Sequence, residues 1–110
     1  MGYLGEFEQL ILFSVLQLGD DACGVTIRDA IEARTGRVVS SGAIYTTLGR
    51  LEERGLVSSS EGVPPSGRPG RPRKHYALEP AGARQLLDAY AAIQAMAADL
   101  VPALAKLAEG

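Results

Sequence analysis

The sequence predicts a mainly α-helical fold that carries one small β-hairpin and ends in a long C-terminal helix. Three observations lead there. Apolar residues recur at helical spacing in four stretches, and two short strand-like runs, the second of them alternating, flank a Gly/Pro-rich segment between the third and fourth stretches. The last stretch adds a heptad seam, Leu86, Tyr90, Ile93, Ala97, Leu100, Leu104 and Leu107.

At 110 residues the chain builds one core of modest size, to which a partner subunit could contribute. Its 46% apolar and 22% charged residues are those of an ordinary soluble domain. No unbroken run approaches the roughly 18 apolar residues of a membrane span, and the N-terminus lacks the features of a signal peptide. A cytoplasmic location without membrane contact is expected. The single cysteine, Cys23, and single histidine, His75, exclude an internal disulfide, a Cys-based zinc cluster and a multi-His metal site. No metal or cofactor is expected. Neither a His/Cys/acid cluster nor a phosphate-cradling Gly-rich loop is present, so the chain does not read as an enzyme, and Asp20-Asp21 reads as a helix terminator.

From Leu4 to Leu18, one helical face holds Leu4, Phe7, Leu10, Ile11, Val15 and Leu18, and Leu12, Phe13 and Leu16 widen it. So broad a surface is either central in the core or covered in part by another chain. Gly19-Asp20-Asp21 closes the helix as a turn. A second helix is expected over 25–34, with Val25, Ile27, Ala30 and Ile31 as its apolar contacts and Thr35-Gly36 as its C-cap.

The stretch 40–57 is the centre of the functional reading. Ile44, Leu48 and Leu51 recur at i, i+4 and i+7 on a buried stripe. Gly42, Tyr45, Thr46, Gly49 and Arg50 fall on the opposite side, small, hydroxylated or cationic, as a face that meets DNA would be, and with Ser41 at the start of the helix they are the expected DNA-binding residues of this stretch. Ser40 or Ser41 supplies the N-cap oxygen, and Gly55 the φ > 0 residue that ends the helix. The two glycines cost roughly 1 kcal/mol each against Ala, a cost that suits a surface where a bulky partner comes close. Two helices joined by a short turn, the second with a polar N-terminal half, form a helix-turn-helix.

Charge supports that reading once it is divided along the chain. The net of −2 conceals −5 over residues 1–33, +5 over 34–84 and −2 over 85–110. Phosphate binding depends on cations at the contact surface rather than on whole-molecule charge.

Residues 56–60 read as a strand, and 73–78 as its return, with Tyr76 and Leu78 on one side and Lys74 opposite. Between them, Glu61 to Pro72 holds four of the six prolines and three glycines, with Arg68 and Arg71. Taken alone this loop is a solubilising surface excursion. Directly after a helix-turn-helix it makes a hairpin wing, in which Arg68, Arg71, Arg73 and Lys74 are phosphate contacts. Pro80 then opens the last helix, and Pro102 is expected to kink or break it. The seam either folds back on its own domain or pairs with the same helix of a second subunit, which suits its length better. Leu86, Tyr90, Ile93, Ala97, Leu100 and Leu104 are the expected dimerisation residues. The expected division is a DNA-binding domain over 1–79, with its wing at 56–79, and a dimerisation helix over 80–110.

Three segments resemble the PadR family of bacterial transcriptional regulators: Leu4 to Leu12, Tyr45 to Val57, and Arg73 to Gly82. They follow the family's order and spacing and reach across nearly the whole chain. The resemblance implies a winged helix-turn-helix repressor that dimerises through its C-terminal helix on a palindromic operator and is released, in some members, by a small aromatic or hydrophobic compound. Ala43, Ile44, Tyr45, Leu48, Arg50 and Leu51 match the recognition-helix motif, which implies that Tyr45 and Arg50 face DNA while Leu48 and Leu51 lie in the core. The chain departs from the family pattern at Cys23, Gly49 and Glu79, where tyrosine, a polar residue and threonine are usual. Effector pockets in such dimers form where subunits meet, which implies Phe7, Ile11, Tyr90 and Ile93 as lining residues. The function expected is therefore a sequence-specific repressor. The alternative is a winged-helix module for protein partners or ligand sensing, with DNA binding weak or absent.

Overall fold

The computed structural model describes residues 3–62 and 73–110. Five helices and one hairpin follow in the order α1 (Glu6–Leu18), α2 (Gly24–Thr35), α3 (Ser41–Glu53), β1 (Val57–Glu61), β2 (Lys74–Leu78), α4 (Pro80–Ala97) and α5 (Val101–Glu109), with short 3₁₀ turns at Gly19–Asp21 and Ala98–Leu100. This is a mainly α winged helix-turn-helix with a long C-terminal arm.

α1 is the central element, touching α2, α3, α4 and β2. Its Ile11, Leu12 and Val15 are buried with Ile27 and Ile31 of α2, Ile44, Leu48 and Leu51 of α3, and Leu56, Val57 and Tyr76 of the hairpin. Each large aliphatic side chain taken fully out of water contributes about 1.5–3 kcal/mol, so this cluster holds the body together. The breadth of α1 is only partly used inside the subunit. Leu12 is buried, whereas Phe13 and Leu16 are exposed. Val25, expected among the contacts of α2, is exposed too, because two residues before Ile27 is about 200° around the helix from the buried stripe.

The ends of the helices follow from local chemistry. Ser40 Oγ accepts from the Ala43 N–H at 3.1 Å, which settles the N-cap of α3 in favour of Ser40. At the other end Leu56 N–H donates to Leu51 O and Gly55 N–H to Glu52 O, with Gly55 at φ 74. This is a Schellman closure, and it turns the chain straight into β1.

In the hairpin, Val57 pairs with Leu78 and Glu61 with Lys74. β2 has a second neighbour. Tyr76 N–H donates to Ala22 O at 2.8 Å, and Cys23 forms an antiparallel bridge to His75. The link between α1 and α2 thus lies along the wing. Gly82, in the first turn of α4, lies so close to Leu56 that a Cβ there would sit 2.2 Å from the Leu56 carbonyl oxygen.

Beyond this contact α4 leaves the body. The radius of gyration is 16.3 Å and the longest extent 55 Å, against about 13 Å for a compact chain of this length. The arm is interrupted at Ala98, a non-glycine residue at φ 31, ahead of Pro102 in α5. Leu86 requires a correction. It is buried in the subunit's own core and unavailable to a second chain, because the seam begins where α4 still lies on the body. Tyr90, Ile93, Leu100 and Leu104 are exposed, and Ala97 is half-buried. The expectation of no segment of spanning length also needs correcting. By length and composition Pro80–Glu109 would reach across a membrane, an 18-residue window of it having a mean hydropathy of 1.3. Over its full length Asp88, Asp99 and Lys106 punctuate it.

Candidate nucleic-acid interface

The burial of α3 divides cleanly around its axis. Ile44, Thr47, Leu48 and Leu51 are buried, while Ser41, Gly42, Tyr45, Thr46, Gly49 and Arg50 are exposed. The structure thus places all six expected helix residues together on one open face. A Cβ built on Gly42 or Gly49 would meet nothing within 4 Å, so neither glycine is required by the subunit's own packing.

Hydrogen bonds orient the side chains of this face. Arg50 Nη2 lies 3.4 Å from the buried Thr47 Oγ1, and no carboxylate within 4 Å pairs with it among the described residues. Its guanidinium fork is open to a partner. Arg28 of α2 donates to Ser41 Oγ at 2.9 Å, bringing to the start of α3 a cation that periodicity alone assigns to a solvated surface. Tyr45 is 49% exposed, and its ring leans back onto Gly24 at the start of α2.

The wing cations behave differently. Lys74 Nζ is 3.5 Å from Glu52 Oε1 and 5.9 Å from the centre of the Tyr76 ring. Arg73 reaches inward, Nη1 to Cys23 Sγ at 3.9 Å. Both are therefore engaged within the subunit, and a phosphate would have to compete for them. Arg68 and Arg71 lie outside the described residues.

Glu52 ties α3 to the wing, accepting from Ser59 Oγ as well as pairing with Lys74. The Ser59 hydroxyl, with help from the Lys74 charge, holds its carboxyl below the usual carboxylate range despite an opposing desolvation cost. Burial alone would raise the Cys23 thiol, but hydrogen bonds from Thr26, Arg73 and the Val25 backbone outweigh it and leave the thiol lowered. Desolvation pushes the Tyr76 hydroxyl up. These shifts belong to the joint between α2, α3 and wing. No cluster of three or more His, Cys, Asp or Glu residues fit to hold a metal occurs among the described residues.

Of the expected effector-lining residues, one is closed to solvent within the subunit. Ile11 is fully buried and cannot line a pocket open to a ligand, because α1 turns it into the core. Phe7 packs against that core. Tyr90 instead meets Phe13, ring centres 5.9 Å apart and nearly perpendicular. A cleft of about 550 Å³ beside α4 is lined by Tyr3, Leu4, Arg54, Gln85, Asp88, Ala89 and Ala92. Phe13 lies on the wide apolar stripe of α1, where periodicity marks an apolar side chain and not its partner.

The chain matches the transcriptional regulator PadR-like family over residues 12–88. No curated protein sequence matches it. Among solved structures it is similar to a PadR family transcription regulator from Clostridium difficile R20291 (TM-score 0.74, 23% identity, 91% of this chain and 99% of that one). It is similar also to a PadR-like transcriptional regulator from Bacillus cereus (TM-score 0.70, 23% identity, 89% of each chain). A third relative is Bacillus subtilis PadR in complex with operator DNA (TM-score 0.63, 21% identity, 74% of this chain and 45% of that one). At these identities the structures bear on the fold.

Proposed function

Because this chain belongs to the PadR-like family of transcriptional regulators, we propose that it is a sequence-specific repressor acting as a homodimer on a palindromic operator in the cytoplasm. The family is one of regulators and not of enzymes. The observation that carries the proposal is the division of α3, apolar stripe inward and Ser41, Gly42, Tyr45, Thr46, Gly49 and Arg50 outward, beneath a locally basic stretch of chain. Two copies of α3 enter successive major grooves, where the Arg50 fork matches a guanine edge. Arg68, Arg71, Arg73 and Lys74 contact flanking phosphates, the last two by exchanging their internal partners for the backbone.

The arm supplies the dimer. Tyr90, Ile93, Leu100 and Leu104 leave a long apolar stripe uncovered, and a second copy of the same arm is its natural cover. A bilayer would satisfy the average apolarity of Pro80–Glu109 but not the break at Ala98 or the charges along it. A small hydrophobic effector would enter at the root of the arm, against Tyr90 and Ile93, with the exposed Phe13 rather than the buried Ile11 as the α1 contact.

The test is a fluorescence-anisotropy titration against DNA from upstream of the protein's own gene and against a scrambled duplex, at two salt concentrations. Tight binding to the upstream fragment, with weak and steeply salt-dependent binding to the scramble, is the expected outcome. Equal feeble binding to both, together with failure to enrich any duplex from a random pool, would replace this reading with that of a protein-interaction or ligand-sensing module.

A further inference from the structure

Gly24 opens α2 with φ outside the left-handed region that favours glycine. The need for glycine there comes from a neighbour 21 positions later in the chain. A Cβ at position 24 would lie 2.4 Å from Tyr45 Cζ, 2.5 Å from its Oη and 2.6 Å from its Cε1. The phenol of Tyr45 therefore reaches from α3 across to α2 and rests its hydroxyl end on the bare Cα of Gly24. The atoms in conflict are the far end of a side chain with two torsions, with no backbone among them. A methyl group at position 24 would turn the ring aside without parting the helices. Gly42 and Gly49, on the same side of α3 as Tyr45, have no such neighbour.

We propose that Gly24 is a positioning residue for DNA recognition: its missing side chain sets the direction of the Tyr45 phenol, and through it the operator contact made by the N-terminal half of α3. This rests on the regulator reading above and names one determinant of its sequence choice. Tyr45 is half in solvent and half against α2, so its ring direction depends on the bare surface at position 24. The adjacent Arg28–Ser41 hydrogen bond spans the same two helix ends.

Gly24→Ala, Tyr45→Ala and the double variant are to be titrated by anisotropy against the duplex that the wild-type chain selects from a random pool, and against its scramble. Gly24→Ala is expected to lose affinity for the selected duplex by about 10-fold, the scale of one base contact, with scramble affinity, salt slope and melting temperature unchanged. Tyr45→Ala should lose a similar factor, and the double variant no more than Tyr45→Ala alone, since the glycine acts only through the ring. Full affinity in Gly24→Ala, or losses that multiply in the double variant, would overturn the proposal. If Gly24→Ala lowers the melting temperature, recovery in the double variant supports the ring as the cause, and no recovery overturns it. Nuclear Overhauser contacts between the Tyr45 ring and the Gly24 Hα provide a test without DNA: their absence from the wild type overturns the proposal on structural grounds. Failure of the wild type to select any duplex overturns the regulator reading itself, and the proposal falls with it even where those contacts are seen.

Discussion

Ile44 and Ile93 are the same residue type on helices of similar apolar spacing, yet the first is fully buried and the second 61% exposed. The body, from Leu4 to Leu86, closes most of its apolar stripes against one another, leaving Phe13 and Leu16 of α1 open. The arm beyond Leu86 presents Leu87, Tyr90, Ile93, Met96, Leu100 and Leu104 to solvent, and leaving so many large apolar side chains of one helix uncovered is unusual for a monomer. Periodicity marks a helix as having an apolar face. What covers that face depends on where the rest of the chain runs out.

Stability should divide along the same line. Leu48→Ala empties a site of 0% exposure and is expected to cost about 2–5 kcal/mol in urea unfolding, by an amount independent of protein concentration. An equal loss from Leu104→Ala at concentrations where the chain is monomeric would erase the distinction between body and arm. The paired substitution Ile93→Glu with Leu104→Glu attacks the arm instead. It should yield a monomer by light scattering with the helical spectrum of the body intact, and weaken operator binding by roughly 10²-fold through loss of the second half-site. A dimer surviving both charges would show that the stripe is covered by something other than its own copy.

The junction gives an intermediate effect. At Gly82 the added Cβ of alanine would meet backbone, the Leu56 carbonyl at 2.2 Å, and backbone cannot rotate away as the Tyr45 ring can. Gly82→Ala is expected to cost about 1–3 kcal/mol and to shift the arm relative to the body, visible as altered Tyr90–Phe13 contacts. Two glycines at helix starts thus differ in kind: position 24 guards a side-chain direction and position 82 guards the seating of a helix.

The same contrast explains what could be read from the sequence. The stripe of α3 and its Gly55 terminus are local, set by residues within one or two turns, and so is its cap, narrowed to Ser40 or Ser41; five of the six residues of its open face follow from an angle of 100° per residue. The heptad seam was visible as well, but not its division between Leu86 and Tyr90, because a period does not record where the body ends. Ala22 and Cys23 pair with β2 over too few residues to show an alternation. Ile11 and Phe13 sit on one wide apolar helix, and only the fold decides that the first is sealed in the core while the second meets Tyr90. Lys74 reads as a free wing cation until the fold brings Glu52 beside it.

That last pair provides the smallest effect. Glu52 accepts from Ser59 and pairs with a Lys74 side chain that is half in solvent, so the stabilisation it adds is below about 1 kcal/mol. Its sign with pH is nonetheless definite. The folded carboxyl is held below its ordinary range, while the unfolded chain titrates near 4.3, as free glutamate does. The contribution is therefore fully present above the unfolded value and disappears as pH falls through the depressed folded one. Wild type and Glu52→Gln should differ in melting temperature at neutral pH and converge in acid. A gap that persisted at the lowest pH would assign the effect to packing rather than charge. Glu52→Gln should in addition release Lys74, tightening binding to operator and scramble alike and steepening the salt slope by a fraction of about one unit. Tightening confined to the operator would instead move Lys74 from phosphate positioning to base reading, and would make the joint between α3 and wing part of the specificity of the body.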